Sequence, residues 1–279
     1  MTYHVRMQIF SGNPDPEWIL DENESGLFRE RLLAQPEMMS GLDENEPGLG
    51  YRGYEVTQLN EDEESGAAPA LPRVFRIRAG MGRETEGFLL GSSDRAGSGV
   101  DGGLREFAAG AIAAASAARS GNVSPQMGFG MSCGVNYLTS STDFSFWNDA
   151  RYVSQNNCYA FGSNYRSNTF PQPGRRALAS YDTKHAAGLA AGLRADGWGD
   201  VCRSSPARNL SVAAVIWPGY DFHFYRKCAN GLWCHKPGHM PARNTDESGR
   251  TIPNPEYCNR GGYTQFVGYV YADSYVPVA

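Results

Sequence analysis

Leu210–Trp217 reads Leu-Ser-Val-Ala-Ala-Val-Ile-Trp, a nearly continuous apolar run far too short to cross a bilayer and long enough for one fully buried strand. Two further segments follow at once, Phe222–Lys227 and Leu232–Lys236, on either side of Asn230-Gly231, a pair that favours the tight turn of a β-hairpin. An antiparallel sheet is the economical solution, with Thr264–Ala272 as its last strand. A chain of 279 residues can bury the core such a sheet needs. With 33 Gly, 16 Pro, 13 Phe and 15 Tyr, the rest of the chain is expected to be rich in loops and aromatic packing.

The N-terminal part reads differently, and the fold class expected is α+β. Val5, Met7 and Ile9 alternate with polar neighbours as a half-buried strand that Ser11-Gly12-Asn13-Pro14 ends. Ser25 is the expected cap of a helix carrying Leu27, Phe28, Leu32 and Leu33, and strands are expected at Tyr51–Leu59 and Arg73–Arg78. Residues 1–90 are thus expected to form an α/β module. Residues 91–103, rich in Gly, Ser and Asp, read as a linker, and 104–279 as the second domain, opening on a small-sided helix Leu104–Arg119. Further on, Asp182 is the expected cap of a helix that Gly197 ends.

Net charge is −5, with acid gathered in Asp43–Glu46 and Asn60–Glu64, the pattern of solvated loops. No basic stripe could follow a phosphate backbone, so nucleic acid is not an expected partner, and no window of apolar residues suits a membrane. The first twelve residues have no apolar run of a secretory leader, and six scattered cysteines are no disulfide framework for a chain this long, although their even number allows disulfides. A cytoplasmic protein is expected. The acceptor patterns at Asn122 and Asn209 are too common to decide otherwise.

Cys158 lies in Gln155-Asn-Asn-Cys-Tyr-Ala-Phe, where Asn156 or Asn157 can cap a short helical turn that opens on the sulfur. Helix N–H groups lower a thiol's pKa and, with an amide such as Gln155, could hold an oxyanion. His223, just beyond the buried strand, is the expected base, on the strand face opposite Phe222 and Phe224. His235 is the first candidate for the residue that orients it, with Asn244 and Asp246 as alternatives. A two-residue turn would set His235 opposite Arg226 and away from His223; a bulge or a three-residue loop would bring the two to one face. Arg175, after Gln-Pro-Gly, is a candidate for the substrate groove, with Gln155 and Asn157. A competing zinc site could draw on Cys228, Cys234, His235, His239 and Cys258, at a spacing foreign to zinc fingers and ribbons.

The order of cysteine-bearing turn, buried strand, His on the next strand and polar residue beyond resembles papain-like cysteine hydrolases, more closely their NlpC/P60 branch. Asn-Asn-Cys-Tyr, Asp-Phe-His-Phe-Tyr-Arg and Trp-Cys-His-Lys-Pro-Gly are also similar to an uncharacterised bacterial family. The first resemblance implies a papain-like second domain that cleaves an amide of a peptide or protein substrate, or transfers the acyl group. Cys158 would form a thioester, with no metal or organic cofactor. The same fold without turnover would be a peptide-binding protein, and the zinc site would make an interaction domain.

Overall fold

The computed structural model describes residues 1–42, 49–59, 71–117, 144–200, 210–273 and 275–279. The acidic runs, Asn122, Asn209, Cys133 and Cys202 lie outside the described residues. The architecture is α+β, with two antiparallel sheets, and the chain divides into two compact units. One comprises Met1–Ile9, Asp15–Glu46 and Tyr51–Val123; the other comprises Phe10–Pro14, Pro47–Gly50 and Ser124–Ala279. Among the described residues no helix is long and apolar enough to cross a membrane.

The first unit contains β1 (Tyr3–Met7), β2 (Glu17–Ile19), α1 (Glu22–Ala34), β3 (Met39–Ser40), β4 (Gly53–Gln58), β5 (Val74–Arg78), α2 (Arg83–Ser92) and α3 (Gly102–Ala117). Its sheet runs β2-β1-β4-β5-β3. In β1, Tyr3, Val5 and Met7 are buried while His4 and Arg6 between them are not, the alternation expected of a half-covered strand. Helix α1 starts earlier than Ser25. Asp21 caps it and Glu24 reaches back to the Asp21 N–H, a complete capping box, while Ser25 is buried one turn in. Of its four leucine and phenylalanine residues, Phe28 and Leu32, one turn apart, are buried, and Leu27 and Leu33 stay exposed.

Residues 91–103 are not the boundary. Leu104, Ala108 and Ile112 stand on successive turns of α3 and are buried, and α3 packs on α2, so the contact boundary falls past the end of α3. Gly80, with φ +79°, faces Ala115, and a Cβ there would meet that backbone at 2.9 Å.

The second unit contains α4 (Ser145–Asn148), α5 (Cys158–Gly162), α6 (Ala186–Ala195), β6 (Leu210–Trp217), β7 (Asp221–Lys227), β8 (Trp233–His235) and β9 (Gln265–Ala272). Its sheet runs β8-β7-β6-β9, and every residue of β6 is buried, as its sequence requires. Val212, Ala214, Ile216, Phe222 and Phe224 form a core with Cys158 and Tyr159 of α5 and Leu189 and Leu193 of α6. The C-terminal Val276 and Val278 join the same core. His185, with no side-chain bond to the helix, precedes α6; the expected cap, Asp182, instead accepts from the Lys184 N–H and pairs with the His185 ring. Between β6 and β9 the register shifts after Ala214. Gly268 pairs with Ala214 and Phe266 with Val215, leaving Val267 as the extra residue of a β-bulge.

The hairpin β7–β8 decides which residues share a face. The Cys228 N–H donates to the Leu232 carbonyl at 2.8 Å to close the hairpin, so the loop is the three residues Ala229–Gly231, with Gly231 at φ +80°. Tyr225 therefore pairs with His235, and Arg226 with Cys234. The long polar segment after β8 continues this edge through isolated bridges, Trp233 to Ile252, His235 to Arg243 and Thr245 to Thr251.

Candidate functional site

Asn157 has the position expected of a cap. Its Oδ1 accepts from the N–H groups of Tyr159 and Ala160, both at 3.1 Å, and its Nδ2 donates to the carbonyls of Gly12 and Pro171 at 2.9 Å. Cys158 N–H donates to the Ser11 carbonyl at 3.4 Å. The donors that could have received an oxyanion are thus engaged within the protein. The thiol opens α5 but is 0% exposed, with Sγ 3.7 Å from the Phe222 carbonyl. Burial pushes the Cys158 pKa well up, and the nearby Asp221 pushes it the same way. A five-residue helix has little dipole to set against this desolvation. Gln155 points elsewhere: it is exposed and donates from Nε2 to the Arg151 carbonyl at 2.6 Å. Arg175 is exposed in a turn that its N–H closes on the Gln172 carbonyl.

His223 and His235 are brought together. Strand alternation sends Phe222 and Phe224 into the core with Cys158, and His223 to the other face of β7. There its Nε2 lies 2.9 Å from His235 Nδ1. His235 Nε2 lies 2.8 Å from the Thr245 carbonyl and 3.1 Å from Arg243 Nε, whose N–H also reaches that carbonyl at 3.1 Å. Burial, with Arg243 and His223 beside it, holds the His235 pKa well below its usual value. Tyr225 stacks on His235, 5.0 Å between ring centroids and 23° from parallel. Asn244 and Asp246, the alternatives to His235, serve their own loop. The Asn244 carbonyl accepts from Ile252 N–H, and the Asp246 carboxylate from the N–H groups of Ser248, Arg250 and Asn259.

Sequence reasoning did not single out Asp221. It begins β7, is fully buried, and accepts from the N–H groups of Ser11, Gly12 and Asn13 at 2.6, 3.1 and 2.8 Å, and from the Tyr263 hydroxyl at 2.5 Å. Burial raises its pKa to about 6 against the pull of these four donors. The only trace in the sequence is an acidic residue beside a buried strand, and nothing local says that Ser11-Gly-Asn provides the donors. Lys236 was equally hidden. It is fully buried and its ammonium donates to the carbonyls of Val153, Asn156 and Gly238. Arg226, also buried, donates to the Phe161 carbonyl at 2.8 Å and to Asn164 at 2.9 Å, tying β7 to α5.

The zinc arrangement is corrected by a disulfide between Cys228 and Cys234, which removes two of its sulfur ligands. His239 is turned to the Ser154 carbonyl, and among the described residues no group of three potential ligands is assembled. Cys258 is a free thiol whose pKa burial pushes up to about 12. A cavity of about 90 Å³ lies between α6 and β9, lined by Leu193, Trp198, Val267 and Tyr269.

Chemically, the assembled groups are buried donors and acceptors whose hydrogen bonds fix loops to a sheet. No family model and no solved structure matches the chain. Among curated proteins, insoluble matrix shell protein 1 of Ruditapes philippinarum is 39% identical over 124 residues, which are 44% of this chain and 84% of that protein.

Proposed function

We propose, from the premise that this chain belongs to the family of insoluble matrix shell protein 1, that it is a non-catalytic structural protein of an insoluble extracellular matrix. The observation that carries this reading is the state of Cys158: the sulfur expected to act as nucleophile is wholly buried, and the histidine expected to serve it is bonded to another histidine on the opposite strand face. The Cys228–Cys234 disulfide supports an oxidising compartment over the cytoplasm. Binding to other proteins of the matrix would then be the activity, without turnover. A papain-like second domain, and the hydrolase that goes with it, would require a thiol that substrate can reach.

Fractionation of the source tissue tests this. Antibody should find the chain in the extracellular residue that detergent and denaturant fail to dissolve, with Cys228 and Cys234 oxidised. A chain confined to the soluble cytosol with both thiols free would overturn the proposal. So would rapid covalent capture of Cys158 by a peptide carrying an electrophilic carbonyl, which would restore the hydrolase.

A further inference from the structure

Two tyrosine rings of the second unit are exposed and face each other. Tyr165 and Tyr275, 39% and 55% exposed, have ring centroids 6.2 Å apart and planes 18° from parallel. Both are positioned by backbone rather than by chance contact. Asn164, at φ +51°, turns the chain out of α5, and Tyr165 N–H donates back to the Ala160 carbonyl at 3.1 Å. On the other side, Val276 N–H donates to the Ser163 carbonyl at 2.9 Å, and its side chain is buried in the core, which fixes Tyr275 just before it. Gln172 N–H donates to the Ala279 carbonyl at 2.9 Å, so the C-terminal segment is bonded at both ends of its course.

Such a pair meets the needs of oxidative phenol coupling: solvent access for an electron acceptor, and two rings held side by side at high effective concentration. The contrast with Tyr51 and Tyr54 of the first unit is instructive. Their centroids are closer, 5.6 Å, but the rings stand at 72°, Tyr54 is fully buried, and Tyr51 donates to Glu86 at 2.8 Å.

We propose that Tyr165 and Tyr275 are a modification site at which oxidation joins them as an intramolecular dityrosine. Each phenol gives up one electron and one proton to become a phenoxyl radical. The radicals couple through the ring carbons ortho to oxygen, and the two hydrogens on those carbons move to the oxygens as the rings become aromatic again. Two electrons and two protons have left in total. Hydrogen peroxide, used by a haem peroxidase, takes up both and yields two waters. The bond would staple the C-terminal segment to the chain just after α5. The inference rests on the ring geometry alone and stands or falls separately from the matrix role.

Purified folded protein treated with a haem peroxidase and hydrogen peroxide, followed by peptide mapping of the monomer band, tests it. The expected result is dityrosine fluorescence in the monomer and one cross-linked peptide containing Tyr165 and Tyr275. Both should be lost in Tyr165→Phe and in Tyr275→Phe, whose circular dichroism should match the parent, and both should fall when the parent is oxidised in denaturant. Monomer with no such peptide overturns the proposal. So does cross-linking only between molecules, for instance through Tyr257, which is 63% exposed, or a monomer signal that survives Tyr165→Phe.

Discussion

Asp221 sets two effects against each other, and Asp221→Asn measures which is larger. Four donors converge on its carboxylate, and each favours the ionised form, while complete burial favours the neutral acid. Burial prevails, so the folded chain holds the proton up to about pH 6, whereas the unfolded chain releases it near 3.8. Between those values the folded state binds more protons, and stability falls as pH rises. The contribution is fully present below 3.8 and gone above about 6. Two pH units correspond to about 3 kcal/mol. His235 works in the other direction: its depressed pKa makes the fold lose stability as pH drops below 6.5, so the raw curve of either protein mixes the two. Subtracting the Asn variant from the parent isolates Asp221. Urea titrations across pH 4 to 7, followed by tryptophan fluorescence, suit the measurement, since Trp147, Trp198, Trp217 and Trp233 all lie in the second unit. The parent should lose about 2 kcal/mol relative to the variant on going from pH 4 to pH 7, since at pH 4 the unfolded carboxyl is already more than half ionised. A difference that is flat, or that grows in the parent's favour with pH, would mean that the four donors outweigh desolvation and would refute the reasoning.

Cys158 in folded protein should react with iodoacetamide far more slowly than in denaturant, as mass spectrometry of labelled peptides will show; equal rates would contradict its burial. The Cys228–Cys234 bridge closes only a short loop, so chain entropy alone predicts that reducing it costs about 2 kcal/mol, read by urea titration with and without reductant. Gly12→Ala would set a Cβ 2.4 Å from the ring of the fully buried Phe222, and overpacking of this kind costs about 1–3 kcal/mol; an unchanged urea midpoint would show that Phe222 has room to move.

The elements with strong local signals were legible before any coordinates. Leu210–Trp217 is a strand over the expected residues because eight apolar side chains in a row need cover on both faces. Gly197, at φ +96°, ends α6 as a glycine can. Asp21 over Ser25 as the cap of α1 was a choice between two competent residues, decided by Glu24 standing three positions after Asp21. The hairpin register was one residue from the two-residue turn that Asn230-Gly231 suggests. Adding Ala229 to the loop moved His235 from the core face to the face of His223. The site depended on contacts with no local signal. That Cys158 meets Phe222 while Ser11, Gly12 and Asn13 surround Asp221, over two hundred residues along the chain, is set by the tertiary fold and leaves no spacing to read.

The bulge at Val267 bears on whether β9 can pair with a strand of another molecule. Strand β9 is the last of its sheet, and an edge of eight regular residues would invite a second molecule to add its own strand and continue into a fibril. The extra residue divides that template into a run of five pairs and a run of two, changes the twist between them, and spaces the main-chain groups where no straight partner can follow. Gly199 then takes up both main-chain groups of Tyr271 within the longer run. An edge broken in this way offers no continuous main-chain template for strand addition.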